Sequence, residues 1–437
     1  MRFEPPRRIA GSITVPGDKS ISHRALLLAA LADGSSRFWG VSPGHDVAAT
    51  ASCLRGLGVD LRCTDAASHT WQVAGLALES WRSPQQALDC GNSGTTMRLL
   101  CGILAGAPGL CATLTGDASL LRRPMRRVAE PLRAIGARVA VTAMGTAPLH
   151  IAGCRLSGGS VQLTVPSAQV KSALLLAGLA AEATVEVRQS APTRDHTERM
   201  LAAMGAHVDV HAEGVAVGPG ALRPLPPARV PGDPSAAAFA VALAVLHSDA
   251  EVAVAGVCLN PRRTGWLRVL QRMGAAVEVV ADPTGTTLAG EPSGTLVARS
   301  SDLHATDLRA DEVTDCVDEV PILALCMAAA RGTSTLHGLG ELRVKESDRL
   351  AATAGLLAAL GVAGNAGADW LRISGRGGAG HFSRLCAFDP GLDHRMALCA
   401  AVAGLCGRGV DHIANWSTTA TSWPGFAAAV GPLDRSG

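Results

Sequence analysis

Tyrosine is absent from this 437-residue chain, and lysine nearly so, with Lys19, Lys171 and Lys345 standing among 39 basic residues. Aromatic residues amount to 3%, so hydrophobic cores have to be filled by alanine, leucine and valine. A stacking surface for single-stranded nucleic acid would lack its material. The formal net charge of +2 rules out bulk electrostatic attraction to nucleic acid or to a membrane surface. No apolar run reaches the roughly 18–20 residues of a bilayer span. The longest, Ala236–Leu246 and Met396–Cys406, read as buried helices. The first residues, Met-Arg-Phe-Glu-Pro-Pro-Arg-Arg, carry charge and proline where a signal peptide needs an apolar stretch. Twelve cysteines are present, yet none forms a Cys-x-x-Cys pair, which removes the commonest zinc and redox signatures. Cys101, Cys326, Cys399 and Cys406 fall in apolar helical runs, where a free thiol behaves as a small hydrophobe. These exclusions point to a reduced, cytoplasmic, enzyme-sized protein.

What the chain does have is a repeat, with a period of about 70–85 residues, longer than the usual solenoid units. One half is a polar turn followed by a small-residue apolar helix. It is written PGDKSISHRALLLAALA from Pro16, CGNSGTTMRLLCGILAG from Cys90 and PSAQVKSALLLAGLA from Pro166. It returns from Pro231, from Val317 and from Asp389. The other half is a more amphipathic helix ending at Leu57-Gly58, Ile135-Gly136, Met204-Gly205, Met273-Gly274 and Leu360-Gly361, with a β-branched run after it. Glycine there predicts a left-handed C-cap and the run predicts a strand. The sixth copy, near Trp423–Val430, is cut short by the C-terminus. Six α/β units predict two domains of three. The phrases Val-Pro-Gly-Asp from Val15 and from Val230 mark equivalent points, and the proline-rich stretch Gly218–Pro231 is the linker candidate. A short strand precedes the first unit. The predicted division is therefore an inserted domain, 18–230, and a second domain of 1–17 plus 231–437.

Each small-residue helix is too apolar to face water and should run through a domain's centre. Its polar N-terminal turn would then emerge at one end, where free backbone N–H groups and a partial positive charge suit anions. Lys19 and Arg24 bracket Ser20, Ser22 and His23; Arg123, Arg194, Arg349 and Arg395 lie on other turns. So many cations on such turns predict a polyanionic ligand, two phosphates or a phosphate with carboxylates. Among the acids, Asp318 heads an apolar helix, and Glu346 sits between Lys345 and Ser347. Either could act as acid or base, and Asp318 could equally be an N-cap or first-turn dipole partner.

The segments PGDKSISHRALLLAAL, DCGNSGTTMRLL, TGDASLLRRPM, PSAQVKSALLLAGL, RVKESDRL and DHRMA, in this order, resemble the EPSP synthase family of 3-phosphoshikimate 1-carboxyvinyltransferases. The likeness runs over nearly the whole chain. It implies an inside-out α/β barrel fold with three βαβαββ units per domain and an active site in the interdomain cleft. The implied reaction moves the enolpyruvyl group of phosphoenolpyruvate to the 5-hydroxyl of shikimate 3-phosphate, on the route to chorismate and the aromatic amino acids. No metal and no organic cofactor is implied, and no partner beyond the two small substrates; the expectation is a monomer.

By motif, the resemblance places Lys19, Ser20, Arg24, Ser167, Ala168, Gln169, Arg194, Asp318 and Lys345 on shikimate 3-phosphate. It places Lys19, Asn92, Gly94, Arg123, Gln169, Arg349, His394 and Arg395 on phosphoenolpyruvate. Asp318 would take the 5-hydroxyl proton and Glu346 would protonate the methylene, with Lys19 and Lys345 assisting. Ala168, Glu341 and Thr421 stand where one branch of the family has serine, asparagine and a phosphoenolpyruvate-binding lysine, so no C-terminal lysine contact carries over. Gly94 leaves room beside phosphoenolpyruvate, which implies sensitivity to glyphosate.

The alternatives are a sister enolpyruvyl transferase acting on UDP-N-acetylglucosamine, an RNA 3′-phosphate cyclase built on related units, and a non-catalytic polyanion-binding protein. Lys19-Ser20, where the sister family has Lys-Asn, and the lack of an obvious loop cysteine in Gly109–Pro124 argue against the first. The near-neutral charge argues against the second. Retention of both Asp318 and Glu346 argues against the third. Lys171 is given no ligand by any of these readings.

Overall fold

Three copies of one four-stranded sheet account for the strands of residues 17–230. In the computed structural model, which describes residues 1–284 and 287–433, the chain divides into two units. One comprises Met1–Pro16, Pro231–Gly285 and Pro292–Gly437; the other comprises Gly17–Val230 and Thr286–Glu291. The assignment of 286–291 differs from the sequence expectation, which had placed them with 231–437.

In the Gly17–Val230 unit the sheets run, in spatial order, Ala228–Arg229, Ser35–Trp39, Thr70–Ala74, Asp60–Asp65; then Leu88–Asp89, Cys111–Thr115, Leu149–Ala152, Arg138–Ala140; then Gly159–Gln162, Val185–Arg188, Gly214–Val217, Val208–His211. In each, the first two strands are parallel and the others antiparallel. A parallel pair needs a crossover connection. The helices Gly94–Ala105 and Ala168–Gly178 supply it in the second and third copies. In the first copy the opening strand comes from the far end of the unit, at Ala228–Arg229, because the chain's own N-terminal strand is used elsewhere. Ile9–Thr14 pairs in parallel with Ala250–Cys258, next to Ser293–Arg299 and Val277–Ala281.

The remaining two copies of the Pro231 unit are progressively reduced. Arg331–Leu336, Leu371–Arg376 and Gly364–Ala366 form three strands, with the opening strand thinned to bridges His304–Arg331 and Leu308–Leu336. Among the described residues the last copy keeps just the parallel bridges Leu385–Val410 and Phe388–Ile413. Phe3 bridges antiparallel to Val410, and Ile413 N–H donates to the Met1 carbonyl. The N-terminus thus stands in for the hairpin that the sixth copy lacks. Four of the scarce aromatics, Phe3, Trp416, Trp423 and Phe426, pack there with ring centroids 5.1–6.2 Å apart, large side chains filling the space of absent strands.

The small-residue helices are central. Every residue of Gly94–Ala105, Pro234–Leu246, Val320–Ala329 and His394–Cys406 is buried. Their composition follows from helix-to-helix approach: a Cβ on Gly102 would lie 2.1 Å from the carbonyl oxygen of Ala173 on the neighbouring helix. The amphipathic helices end as the sequence predicts, at Gly58, Gly136, Gly205, Gly274 and Gly361, with φ between +75° and +96°. Among the described residues no helix is long and apolar enough to cross a membrane.

Candidate active site

In the Gly17–Val230 unit the three central helices begin with side-chain caps: Asp18 accepts from Ile21 N–H, Ser93 from Thr96 N–H and Ser167 from Val170 N–H. Around these turns the charged residues are laced together. Arg24, buried, donates from Nε to Thr197 Oγ1 and from Nη2 to Ser172 Oγ, both at 2.7 Å, and from Nη1 to the Ser20 carbonyl. Lys19, the first helical residue, forms an ion pair with Asp46. Asn92 donates to Asp117 at 2.6 Å and accepts from Arg123 at 2.5 Å. Gln169 accepts from Arg98 Nη1 at 2.5 Å and donates to Thr95 Oγ1 at 2.9 Å, which ties the second and third helix starts. Two guanidinium groups converge over Gly94: a Cβ there would lie 2.7 Å from Arg98 Nη1 and 3.4 Å from Arg123 Nη1. Charge of this kind around helix N-termini suits a phosphate or carboxylate.

Beneath this surface His23 Nδ1 shares a hydrogen bond with Thr50 Oγ1 at 2.6 Å, and Thr50 continues to Thr96. Burial, reinforced by the Lys19 and Arg24 cations, holds the His23 imidazole well below its ordinary value of 6.5. The imidazole is thus held in a buried hydrogen-bond chain with Thr50 and Thr96.

The Pro231 unit is built with carboxylates at the equivalent positions. Asp233, Glu319 and Asp393 are the N-cap residues of its three central helices. Each is met by an arginine: Arg263 donates to Asp233 at 2.9 Å, Arg395 lies 3.6 Å from Glu319, and Arg349 donates to Asp393 at 2.8 and 3.3 Å. Ser235 donates to Glu319, which joins the first helix start to the second. This corrects the expectation that every central helix end would offer bare positive charge. In this unit an acid stands at each helix start, Asp233 and Asp393 capping theirs through side-chain hydrogen bonds, and the cations nearby are side chains.

Arg349 is the centre of that arrangement. Its guanidinium is 1% exposed and reaches Asp393, Asp318 at 3.3 Å and Glu346 at 2.6 Å. Burial alone would lower its proton affinity; the Asp393, Glu346 and Asp318 carboxylates more than offset this and hold it above the ordinary arginine value. Lys345 Nζ lies 3.5 Å from Asp318, and Arg395 donates to the Asp318 carbonyl at 3.0 Å. Asp318 is therefore not a cap. That position belongs to Glu319, and the Asp318 side chain faces two cations. His394 is the buried first residue of the His394–Cys406 helix.

The predicted residues divide between the units. Lys19, Ser20, Arg24, Asn92, Gly94, Arg123, Ser167, Ala168, Gln169 and Arg194 belong to one, and Asp318, Lys345, Glu346, Arg349, His394 and Arg395 to the other. Arg123, Arg194 and Arg349 head the amphipathic helices Arg126–Ala134, His196–Ala203 and Arg349–Ala359, not the central ones as the sequence reading had it. Sequence reasoning missed Asp46, Arg98, Glu319 and Asp393. The signal for Arg98 was there, a lone charge inside Thr-Thr-Met-Arg-Leu-Leu. Cys111, inside the Gly109–Pro124 stretch, is exposed and begins the strand Cys111–Thr115. Asp195, His196 and Glu291 bring donor atoms within 4.8 Å of one another, but His196 Nδ1 is engaged by Glu291 at 2.6 Å, which reads as a hydrogen-bonded anchor. A groove of about 700 Å³, lined by Gln86, Cys111, Arg138 and His150 among others, carries none of these turns.

A family model described as EPSP synthase (3-phosphoshikimate 1-carboxyvinyltransferase) matches residues 3–429. The 3-phosphoshikimate 1-carboxyvinyltransferase of Acidiphilium cryptum is 46% identical over 97% of this chain and 94% of its own length. That of Chloroflexus aurantiacus is 45% identical over 96% of each. The solved EPSP synthase of Acinetobacter baumannii is similar with a TM-score of 0.85 at 36% identity, covering 99% of this chain and 98% of that one. The enolpyruvyl transferase NikO of Streptomyces tendae, with a TM-score of 0.76, 17% identity and coverage of 99% and 96%, shares the fold alone. Matched over nearly its whole length in sequence and in fold, this chain belongs to the EPSP synthase family.

Proposed function

We propose that the protein transfers the enolpyruvyl group of phosphoenolpyruvate to the 5-hydroxyl of shikimate 3-phosphate, with the two sets of side chains, one in each unit, acting on the same substrate pair. Family membership and the identities above support the reaction. The observation that carries the catalytic reading is the Arg349 guanidinium shared by Asp318 and Glu346, with Lys345 beside Asp318.

In the first half of the reaction the 5-hydroxyl oxygen bonds to C2 of phosphoenolpyruvate, its proton passes to Asp318, and the methylene carbon takes a proton from Glu346. In the second half the C2–O bond to phosphate breaks, the phosphate leaving with the proton held by Asp318, and the new methyl returns its proton to Glu346, which restores the double bond and both carboxyl groups. General acid–base help of this kind contributes about 10²–10⁴-fold in rate. Lys19, Ser20, Arg24, Ser167, Ala168, Gln169, Arg194 and Lys345 are assigned to shikimate 3-phosphate. Lys19, Asn92, Gly94, Arg123, Gln169, Arg349, His394 and Arg395 are assigned to phosphoenolpyruvate, whose phosphate and carboxylate match paired guanidinium groups. Lys19 and Lys345 assist proton transfer. Arg98, which touches Gln169, orients it.

The reading carries with it a monomer in a reducing, cytoplasmic setting, which the free state of all twelve cysteines suits. The decisive assay follows phosphate release from phosphoenolpyruvate with purified protein. Release is expected with shikimate 3-phosphate as acceptor. Release with UDP-N-acetylglucosamine in its place would overturn the assignment.

A further inference from the structure

Lys171 has no part in that scheme, yet it is among the most deeply buried large side chains of the protein, 1% exposed. It lies in the first turn of the central helix Ala168–Gly178. Its Nζ is 2.5 Å from Oε1 of Glu198, a side chain that is itself buried, and it donates at 3.3 Å to the carbonyl of Thr193. Thr193 immediately precedes Arg194, and Glu198 is in the first turn of the helix His196–Ala203 that follows it. The same helix start is held a second time: Thr197 Oγ1 accepts from Arg24 and shares a 2.7 Å hydrogen bond with Ser172, the residue after Lys171. Both flanks of Arg194 are therefore fastened to the helix that begins Ala168-Gln169.

We propose that Lys171 and Glu198 are a positioning pair for shikimate 3-phosphate, acting through Arg194 by fixing the Thr193 carbonyl and the start of the helix His196–Ala203. The proposal rests on the reading of Arg194 as a ligand of the substrate phosphate. A buried ion pair is poor evidence of a stabilising role, because apolar residues of similar volume often replace one without loss. What the pair supplies here is direction: an ammonium has several donors on one small atom and satisfies a carboxylate and a main-chain carbonyl at once. A leucine in its place would leave the Thr193 carbonyl without that donor, and the arginine beside it would lose its reference point. This also accounts for lysine at a third position in a chain that otherwise uses arginine.

The test is a set of three variants: Lys171→Met with Glu198→Leu, Arg194→Ala, and all three substitutions together. Steady-state rates of phosphate release are measured against each substrate in turn. The pair replacement is expected to raise KM for shikimate 3-phosphate about tenfold, which is about 1.4 kcal/mol, with KM for phosphoenolpyruvate and kcat within about twofold. In the Arg194→Ala background it should add nothing further. A normal KM in the pair variant beside a raised KM in Arg194→Ala overturns the proposal alone. So does an equal loss for both substrates, or an effect that multiplies with that of Arg194→Ala. An unchanged KM in Arg194→Ala overturns the phosphate role of Arg194 and the proposal with it. Should the apolar pair fold poorly, Lys171→Gln with Glu198→Gln, which keeps polar atoms without charge, is expected to show the same selective rise.

Discussion

Replacing Asp393 by asparagine changes one atom at the point where a helix cap and the Arg349 cluster meet. Oδ1 of Asp393 accepts from the Arg395 N–H that begins the helix and from Arg349 Nη2; Oδ2 accepts from Arg349 Nε at 2.8 Å and from Ser347 at 2.8 Å. Asparagine caps helices as well as aspartate does, so its carbonyl can keep the first role. Its amide nitrogen then faces the Arg349 Nε–H, donor against donor, at a buried site. A charge-assisted hydrogen bond contributes about 1.5–3 kcal/mol, and removing one partner of a buried pair costs about 3–5 kcal/mol. Arg349 keeps Asp318 and Glu346, so the expected loss falls between these two figures, about 2–4 kcal/mol. Hydrogen exchange read by mass spectrometry reports each unit separately. Protection should fall in Pro234–Leu246, Val320–Ala329 and His394–Cys406 and stay unchanged in Lys19–Leu31, Gly94–Ala105 and Ala168–Gly178. Because Arg349 also holds Glu346 and Asp318, phosphate release should drop by up to about 10²-fold, the cost of a small misplacement. A stability loss below about 1 kcal/mol, or a loss spread over both units, would refute the view of Asp393 as the principal partner of Arg349.

Glu346→Gln keeps the shape of the side chain and removes its acid; kcat is expected to fall about 10²–10⁴-fold with both KM values little changed, and a normal rate in a phosphate-release assay would remove Glu346 from the mechanism. Glyphosate should inhibit the protein, as the family resemblance at Gly94 implies; undiminished turnover in millimolar glyphosate would contradict this. Gly94→Ala should press on Arg98 and loosen its hold on Gln169, which would raise KM for phosphoenolpyruvate several-fold, and an unaltered KM would count against the positioning role given to Arg98. For His23, the native value lies well below 6.5, so between the two the unfolded chain binds a proton that the native protein does not. That contribution to stability is fully present above pH 6.5 and is lost as the pH falls below it. Urea midpoints compared at pH 7.5 and 5.5 should show a smaller difference in His23→Gln than in the parent, and an equal difference would mean that His23 does not titrate in this way.

The turns were legible because their chemistry is local. Asp18, Ser93 and Ser167 each sit before an apolar run and cap it, and Gly58 or Gly361 follows an amphipathic one and ends it. Pairing was not legible. Arg349 finds Asp393 across 44 positions, and Arg24 finds Thr197 across 173. Nothing in either segment's periodicity names its partner. The three acid caps of the Pro231 unit also escaped the sequence reading, since an aspartate before a helix looks alike whether it meets an arginine or water. The location of Arg123, Arg194 and Arg349 at the heads of amphipathic helices was misjudged for a related reason: the repeat places a polar turn before both of its helices.

By itself the sequence determined the six-fold repeat, the apolar central helices, the turns that carry the charges and the family. Burial period, cap chemistry and glycine conformation act over a few residues and repeat wherever the unit does. Only the tertiary structure decided that Ala228–Arg229 supplies the opening strand of the first sheet in the Gly17–Val230 unit. It alone showed that Arg349 is shared by three carboxylates and that Lys171 is committed to Glu198 and Thr193. Such choices rest on contacts between distant segments, where the gain from one buried ion pair or strand pairing depends on which groups the rest of the fold brings within reach.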